Sequence, residues 1–319
     1  MSTFRVVYMS KCGHKPSVFH PVNSHPGIAV TANYAASVTP RPTTYLDRIV
    51  EAHRAAVAED HRDLTNMHAA AVAVTEPVRG FAAALRMPGL SVIAEIKRRS
   101  PSKGALNADL DPAELGRTYE SGGASCLSVL TDIDHFGGSV TDLQSARTAT
   151  NLPVLRKDFT VSLADVYDAR IMGADCVLLI AAALTDDELG TFHEAANRLG
   201  LDALVEIHDE AELARALAVG ASLVGVNQRD LHTFAVDHER AVRVGRAIPD
   251  SVVRVAESGV RGPDDARLLA DAGFDAVLVG ESVVTADDPA AAVRALRNST
   301  DSSRTAGSTT DRSRHAPST

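Results

Sequence analysis

Four ionisable residues stand where an apolar run would be expected to continue. Glu95 lies between Ala94 and Ile96, and Glu206 lies between Val205 and Ile207. Lys157 closes the run that starts at Val154, and Lys97 follows Ile96. A buried charge is costly unless it is paired or bound to something. Glu95 and Lys97 are two apart, so on a strand their side chains share one face and must pair with each other or with a ligand. Burial disfavours the charged form of a lysine, which would make Lys157 a usable proton donor; a structural pair with Asp158 at a rim is the competing reading. Carboxylates and lysines placed this way suit proton transfer to and from a polar molecule held among them.

Other residues could hold such a molecule. Asn227 and Arg229 supply an amide and a guanidinium for orienting polar atoms, or else for fixing their own loop. Ser258-Gly259 and Gly280-Glu281 each follow an apolar run, and glycine lets backbone N–H groups approach an anion closely. His208 and Asp209 fit better as a turn and a helix cap. Arg98 to Lys103 read as a solvated loop.

These residues need elements that bring them together. Short apolar, β-branched runs at 92–96, 126–130, 154–156, 176–180, 203–207, 223–226, 252–256 and 276–279 alternate with helical stretches, the pattern of a parallel sheet built from βα units. Near-continuous apolar character means both faces of each strand are covered. Thr185 and Glu188 form a capping box, and Asp111-Pro112 places proline at the first helical position. Eight strands without a glycine fingerprint after the first favour a closed barrel over a doubly wound open sheet. The expected fold is a (β/α)8 TIM barrel with an extra N-terminal helix, drawn from the amphipathic stretch 45–72 and laid across one end. In such a barrel the site lies at the C-terminal ends of the strands, where every residue above is found, and phosphate often binds between the last two loops.

Composition sets the remaining bounds. The chain has 319 residues, net charge −9, 45% hydrophobic and 23% charged residues. No basic field exists to attract nucleic acid, so a bound anion must be held by local groups. No apolar run approaches the ~20 residues needed to span a membrane. Three cysteines, Cys12, Cys126 and Cys176, fit reduced thiols in the cytoplasm better than a disulfide framework. Residues 1–44 hold no Asp or Glu and show no sustained period; they read as a disordered extension or a misplaced start, dispensable for activity. A transit peptide would carry more arginine than Arg5 and Arg41. Residues 298–319 are rich in Ser, Thr, Arg and Asp and are expected to be disordered, leaving 45–297 as the barrel.

The strand ends resemble one family. AEIKRRSPSKG (94–104), LTD (130–132) with FGGS (136–139), PVLRKDF (153–159), LVEIHD (204–209), GVNQRDL (225–231), AESGV (256–260) and VGES (279–282) occur in order, and ADCVLLI (174–180) is a looser match at the fourth strand. Together they are similar to indole-3-glycerol phosphate synthase over about 45–297. The resemblance implies conversion of 1-(2-carboxyphenylamino)-1-deoxyribulose 5-phosphate to indole-3-glycerol phosphate, CO2 and water in tryptophan biosynthesis, with no metal and no organic cofactor. It implies Lys157 as general acid for ring closure and Glu206 as base. Glu95 with Lys97 either assists dehydration or holds the substrate, and which acid serves which step stays open. Asn227 and Arg229 would orient the substrate. Ser258, Gly259, Gly280 and the backbone of Glu281 would form the phosphate pocket, toward which Ser100 closes the first loop. Phe136 and Phe159 would wall the anthranilate ring.

His135 departs from the pattern, since many relatives carry a second aromatic there. Phosphoribosylanthranilate isomerase, the nearest rival, resembles a Cys-plus-Asp pair with the Cys ending strand 1, which here ends Glu-Ile-Lys. A non-catalytic barrel that only binds a phosphorylated metabolite leaves the ionisable strand ends unexplained. The one expected partner is a phosphorylated small molecule, and association with other tryptophan-pathway enzymes stays open.

Overall fold

The computed structural model describes residues 44–100, 103–230 and 235–300. The expectations for the two chain ends fall largely outside them, as does Cys12. Eight parallel strands close into a barrel: β1 (Ser91–Ile96), β2 (Cys126–Leu130), β3 (Val154–Lys157), β4 (Cys176–Ile180), β5 (Asp202–Ile207), β6 (Leu223–Asn227), β7 (Val253–Glu257) and β8 (Ala276–Val279). Each pairs with its sequence neighbours, and β8 returns to β1 with Ser91 opposite Ala276. Three strands run one residue further toward the mouth than the apolar pattern suggests, so Lys157, Asn227 and Glu257 are strand residues. That places them on the sheet, with backbone positions fixed by the ladder.

The period of two decides what faces inward. Ile93, Leu155, Leu204, Leu223 and Val255 fill the barrel interior together with Cys126 and Cys176, both free thiols. Two residues further along the strands the same row ends in Glu95, Lys157, Glu206, Gly225 and Glu257. The alternate row, including Val92, Val129, Val154, Val205 and Val277, packs under the outer helices.

The stretch 45–72 is two helices rather than one: α1 (Tyr45–Ala58) and α2 (Leu64–Val72). Each has its own start, a Thr44–Asp47 capping box and an Asp63 cap. Between them Arg62 pairs with Asp60 and with Asp168 at 2.9 Å, tying the break to an outer helix. A third helix, α3 (Phe81–Leu85), was not read from the sequence. Phe81 and Leu85 are fully buried in the interior cluster, and the thiol of Cys126 on β2 donates to Phe81 O. Leu46 joins the same cluster and, with Ile49, lines the main cavity, so α1 lies at the mouth.

The expected caps are present at Thr185, Asp111 and Asp209. The last long helix, Pro289–Arg297, is followed by a turn over Asn298–Thr300 with Ser299 buried, three residues past the expected end of the barrel. Among the described residues no helix is long and apolar enough to cross a membrane.

Candidate active site

A cavity of about 530 Å³ opens at the C-terminal ends of the strands. Its wall includes Glu95, Lys97, Ser100, Phe136, Lys157, Phe159, Glu206, Asn227, Arg229, Ser258, Gly259, Gly280 and Glu281, all singled out from the sequence. The volume lies within the usual range for a small-molecule site.

Lys157 is the centre of the ionic arrangement. Its Nζ lies 3.1 Å from Glu206 Oε2 and 3.3 Å from Glu257 Oε2, with both carboxyl groups buried and the lysine half-buried, open to the cavity. Asn227 Nδ2 donates to the other oxygen of Glu206 at 2.9 Å, and Arg229 N donates to Asn227 Oδ1 at 3.0 Å. The amide is thereby oriented from both ends. Across the cavity Lys97 pairs with Glu95. The alternative pair of Lys157 with Asp158 does not form: Asp158 instead accepts from Thr131 and from Arg156 at 3.1 Å.

Charge and burial compete here, and the outcome corrects one expectation. Burial would lower the Lys157 ammonium, but Glu206, Glu257 and Glu95 outweigh it and raise it above the ordinary lysine range. Lys157 is therefore charged, not neutralised. Burial also opposes the charge on Glu206; Lys157, His208 and the Asn227 amide overcome it and hold Glu206 down at about 2. Glu257 goes the other way. Burial, reinforced by Glu206 and Glu95, exceeds the pull of Lys157 and lifts it to about 8. One lysine thus faces two carboxyl groups whose hold on a proton is pushed in opposite directions.

Glu257 was missed in the sequence. The signal was present, since Glu257 closes the run Val255-Ala256 as Lys157 closes the run that starts at Val154. Ending the strand at 256 assigned it to the turn instead. The loop from Arg98 to Lys103 after β1 is solvated at Arg99 and Lys103, but its other described residues are partly covered. Arg98 pairs with Asp142 and donates to Leu110 O at 3.1 Å, while Lys103 lines the cavity 3.6 Å from a carboxylate oxygen of Glu281.

The last two strand ends are shaped by backbone. Ser258 at φ 69° and Gly259 at φ 74° are consecutive left-handed residues. Such a conformation in a non-glycine residue is strain, of the kind that concentrates at functional sites. A β-carbon on Gly280 would meet Glu95 Oε1 at 2.4 Å, so glycine there makes room for the Glu95–Lys97 pair. On the opposite wall the rings of Phe136 and Phe159 lie 6.2 Å apart at 33°.

The chain matches the family model for indole-3-glycerol phosphate synthase over residues 46–296. It is 50% identical over 255 residues to the indole-3-glycerol phosphate synthase of Mycobacteroides abscessus, covering 79% of this chain and 93% of that one. Against the protein of the same name from a Nocardioides species it is 51% identical over 253 residues, 79% of this chain and 97% of the relative. The Mycobacterium tuberculosis protein of that name is 49% identical over 257 residues, 80% and 94% of the two chains. Among solved structures, thiamine phosphate pyrophosphorylase from Pyrococcus furiosus superposes with a TM-score of 0.52 at 19% identity, covering 67% of this chain and 96% of that one, a likeness of fold alone. The chain belongs to the indole-3-glycerol phosphate synthase family.

Proposed function

We propose that the residues of this cavity carry the family's reaction, the decarboxylating ring closure of 1-(2-carboxyphenylamino)-1-deoxyribulose 5-phosphate. The observation that carries the assignment of roles is Lys157 held charged between Glu206 and Glu257. The aromatic carbon bearing the carboxylate attacks the ribulose carbonyl carbon, and negative charge develops on the carbonyl oxygen. Lys157 donates its proton there. An alkoxide is more basic than an amine, so the transfer is favourable even from a lysine whose proton is firmly held. Breaking the bond to the carboxylate then releases CO2 and restores aromaticity.

Loss of the ring hydroxyl as water needs an acid, and loss of a proton from the neighbouring carbon needs a base. Glu206, ionised and oriented by Asn227, is the base. Glu95 with Lys97 assists dehydration or holds the substrate. Glu257, protonated at neutral pH, presents an O–H in place of a second negative charge beside an anionic substrate.

Phe136 and Phe159 supply flat apolar walls for the anthranilate ring. Ser258, Gly259, Gly280 and the backbone of Glu281, with Ser100 on the first loop, receive the phosphate; Arg229 orients the chain between the two ends. This chemistry asks for no metal and no organic cofactor, and the partner is a phosphorylated small molecule. We place the protein in the cytoplasm, a compartment that suits the reduced Cys126 and Cys176.

Purified protein mixed with the carboxyphenylamino-deoxyribulose phosphate is expected to generate indole fluorescence together with one equivalent of CO2. Substrate consumption without indole, or no turnover at all, would remove the reading.

A further inference from the structure

We propose that His53, Asp132 and His135 form a site for one divalent transition-metal ion of the zinc type, at the mouth of the barrel but outside the catalytic cavity. His53 comes from α1, whereas Asp132 and His135 follow β2. Asp132 Oδ2 lies 2.9 Å from His53 Nε2 and 3.0 Å from His135 Nδ1. The three ligand atoms all fall within 4.8 Å of one another. Around a metal at bond lengths of roughly 2.0–2.2 Å, neighbouring ligand atoms stand about 3 Å apart, so little movement separates this arrangement from a coordination shell.

The donor set selects the ion. Two imidazoles and one carboxylate suit zinc and its neighbours, while calcium and magnesium take mainly oxygen. Asp132 is oriented for the task. Its Oδ1 accepts the backbone N–H of His135 at 2.6 Å as the cap of the short helix Ile133–Phe136, which leaves Oδ2 facing the two rings. A held carboxylate of this kind is what fixes a metal ligand in place. Asp158 adds a second carboxylate, 3.9 Å from His53 Nε2. The carboxylate of Asp132 is 3% exposed and the imidazoles are 23% and 26% exposed, so the rings leave a side open to water.

None of these three residues lines the cavity described above. His53 is nonetheless in contact with Phe159, with ring centroids 5.2 Å apart, and His135 directly precedes Phe136. An ion here would tie α1 to the aromatic wall and is structural, independent of the proposed chemistry. Without an ion each ring nitrogen that faces Asp132 Oδ2 donates an N–H to it. To bind a metal, that nitrogen presents its lone pair while the neutral imidazole carries its proton on the other ring nitrogen, any second proton of an imidazolium passing to water.

The test uses the full chain, freed of metal with a chelator and titrated with Co2+, then with Zn2+ as competitor. One equivalent of Co2+ is expected, with visible absorption bands of a nitrogen-containing site that Zn2+ abolishes. His135→Phe and, separately, His53→Gln are each expected to weaken binding by at least about tenfold. His135→Phe keeps a ring in the same space, and its metal-free melting midpoint reports folding; should it fail to fold, His53→Gln decides. Absence of Co2+ absorption, or a signal that persists at full strength in the folded variants and so arises elsewhere in the chain, overturns the proposal.

Discussion

The carboxyl group of Glu257 occupies the space in which Gly225 would carry a side chain. A β-carbon on Gly225 would lie 1.9 Å from Glu257 Oε1 and 3.0 Å from its carboxyl carbon. Gly225 precedes Asn227 by two on β6 and so faces the same interior. Gly225→Ala is therefore expected to push Glu257 away from Lys157 while the barrel still folds. Overpacking of this kind costs about 1–3 kcal/mol. The expected result is a kcat lowered by at least about tenfold, with a melting midpoint reduced by only a few degrees. Normal kcat in a folded Gly225→Ala protein would show that Glu257 need not stand where it does.

Lys157→Ala and Glu206→Gln are each expected to lower kcat by about two orders of magnitude or more, the range for a lost general acid or base. Glu206→Gln removes the carboxylate that most strongly offsets the burial of Lys157, so the remaining lysine also gives up its proton more readily. Steady-state indole formation by the purified variants measures both. Near-normal turnover by a folded Lys157→Ala protein would remove the assignment.

The barrel was legible because its strands are covered on both faces and punctuated by caps, and because charges rarely interrupt such runs. That logic located Glu95, Lys157 and Glu206. It stopped short where a strand end was read one residue early, which hid Glu257, and where two neighbouring helices shared an apolar period, which merged α1 with α2. The sign of the Lys157 shift was illegible for a different reason. Burial alone argues for neutrality, and only the coordinates bring carboxylates from β1, β5 and β7 around one nitrogen. Contacts such as His53 with Asp132, 79 residues apart, carry no signal in a single sequence.

The two carboxyl groups beside Lys157 predict opposite contributions to stability against pH. Glu257 is lifted by burial, Glu206 and Glu95 to about 8, while in the unfolded chain it ionises near 4.5. Between those values the folded state holds more protons, so this group's contribution falls as pH rises through the window. Glu206, lowered to about 2, contributes stability above its ordinary value of 4.5 and loses it only as pH falls below that value toward about 2. Thermal melts of the wild type and Glu257→Gln, compared from about pH 5 to 8, should therefore diverge, with the wild type losing ground as pH rises. The slope cannot exceed about 1.4 kcal/mol per pH unit for one proton. Parallel curves would mean that Glu257 is ionised in the fold.

Ser258 is the one non-glycine residue with positive φ among those described. Holding an L-residue there costs roughly 1–2 kcal/mol, which glycine would relieve while adding some freedom to the unfolded chain. Ser258→Gly is expected to match or exceed the wild type in melting midpoint. If the hydroxyl serves the phosphate, as proposed, the same change removes a charge-assisted hydrogen bond worth about 1.5–3 kcal/mol. KM should then rise by roughly tenfold or more with kcat little altered, because the phosphate is remote from the reacting carbons and is bound equally before and during reaction. Calorimetry and steady-state kinetics on one preparation separate the two effects. A variant that melts lower with an unchanged KM would make Ser258 a structural residue of the turn and move the phosphate elsewhere in the cavity.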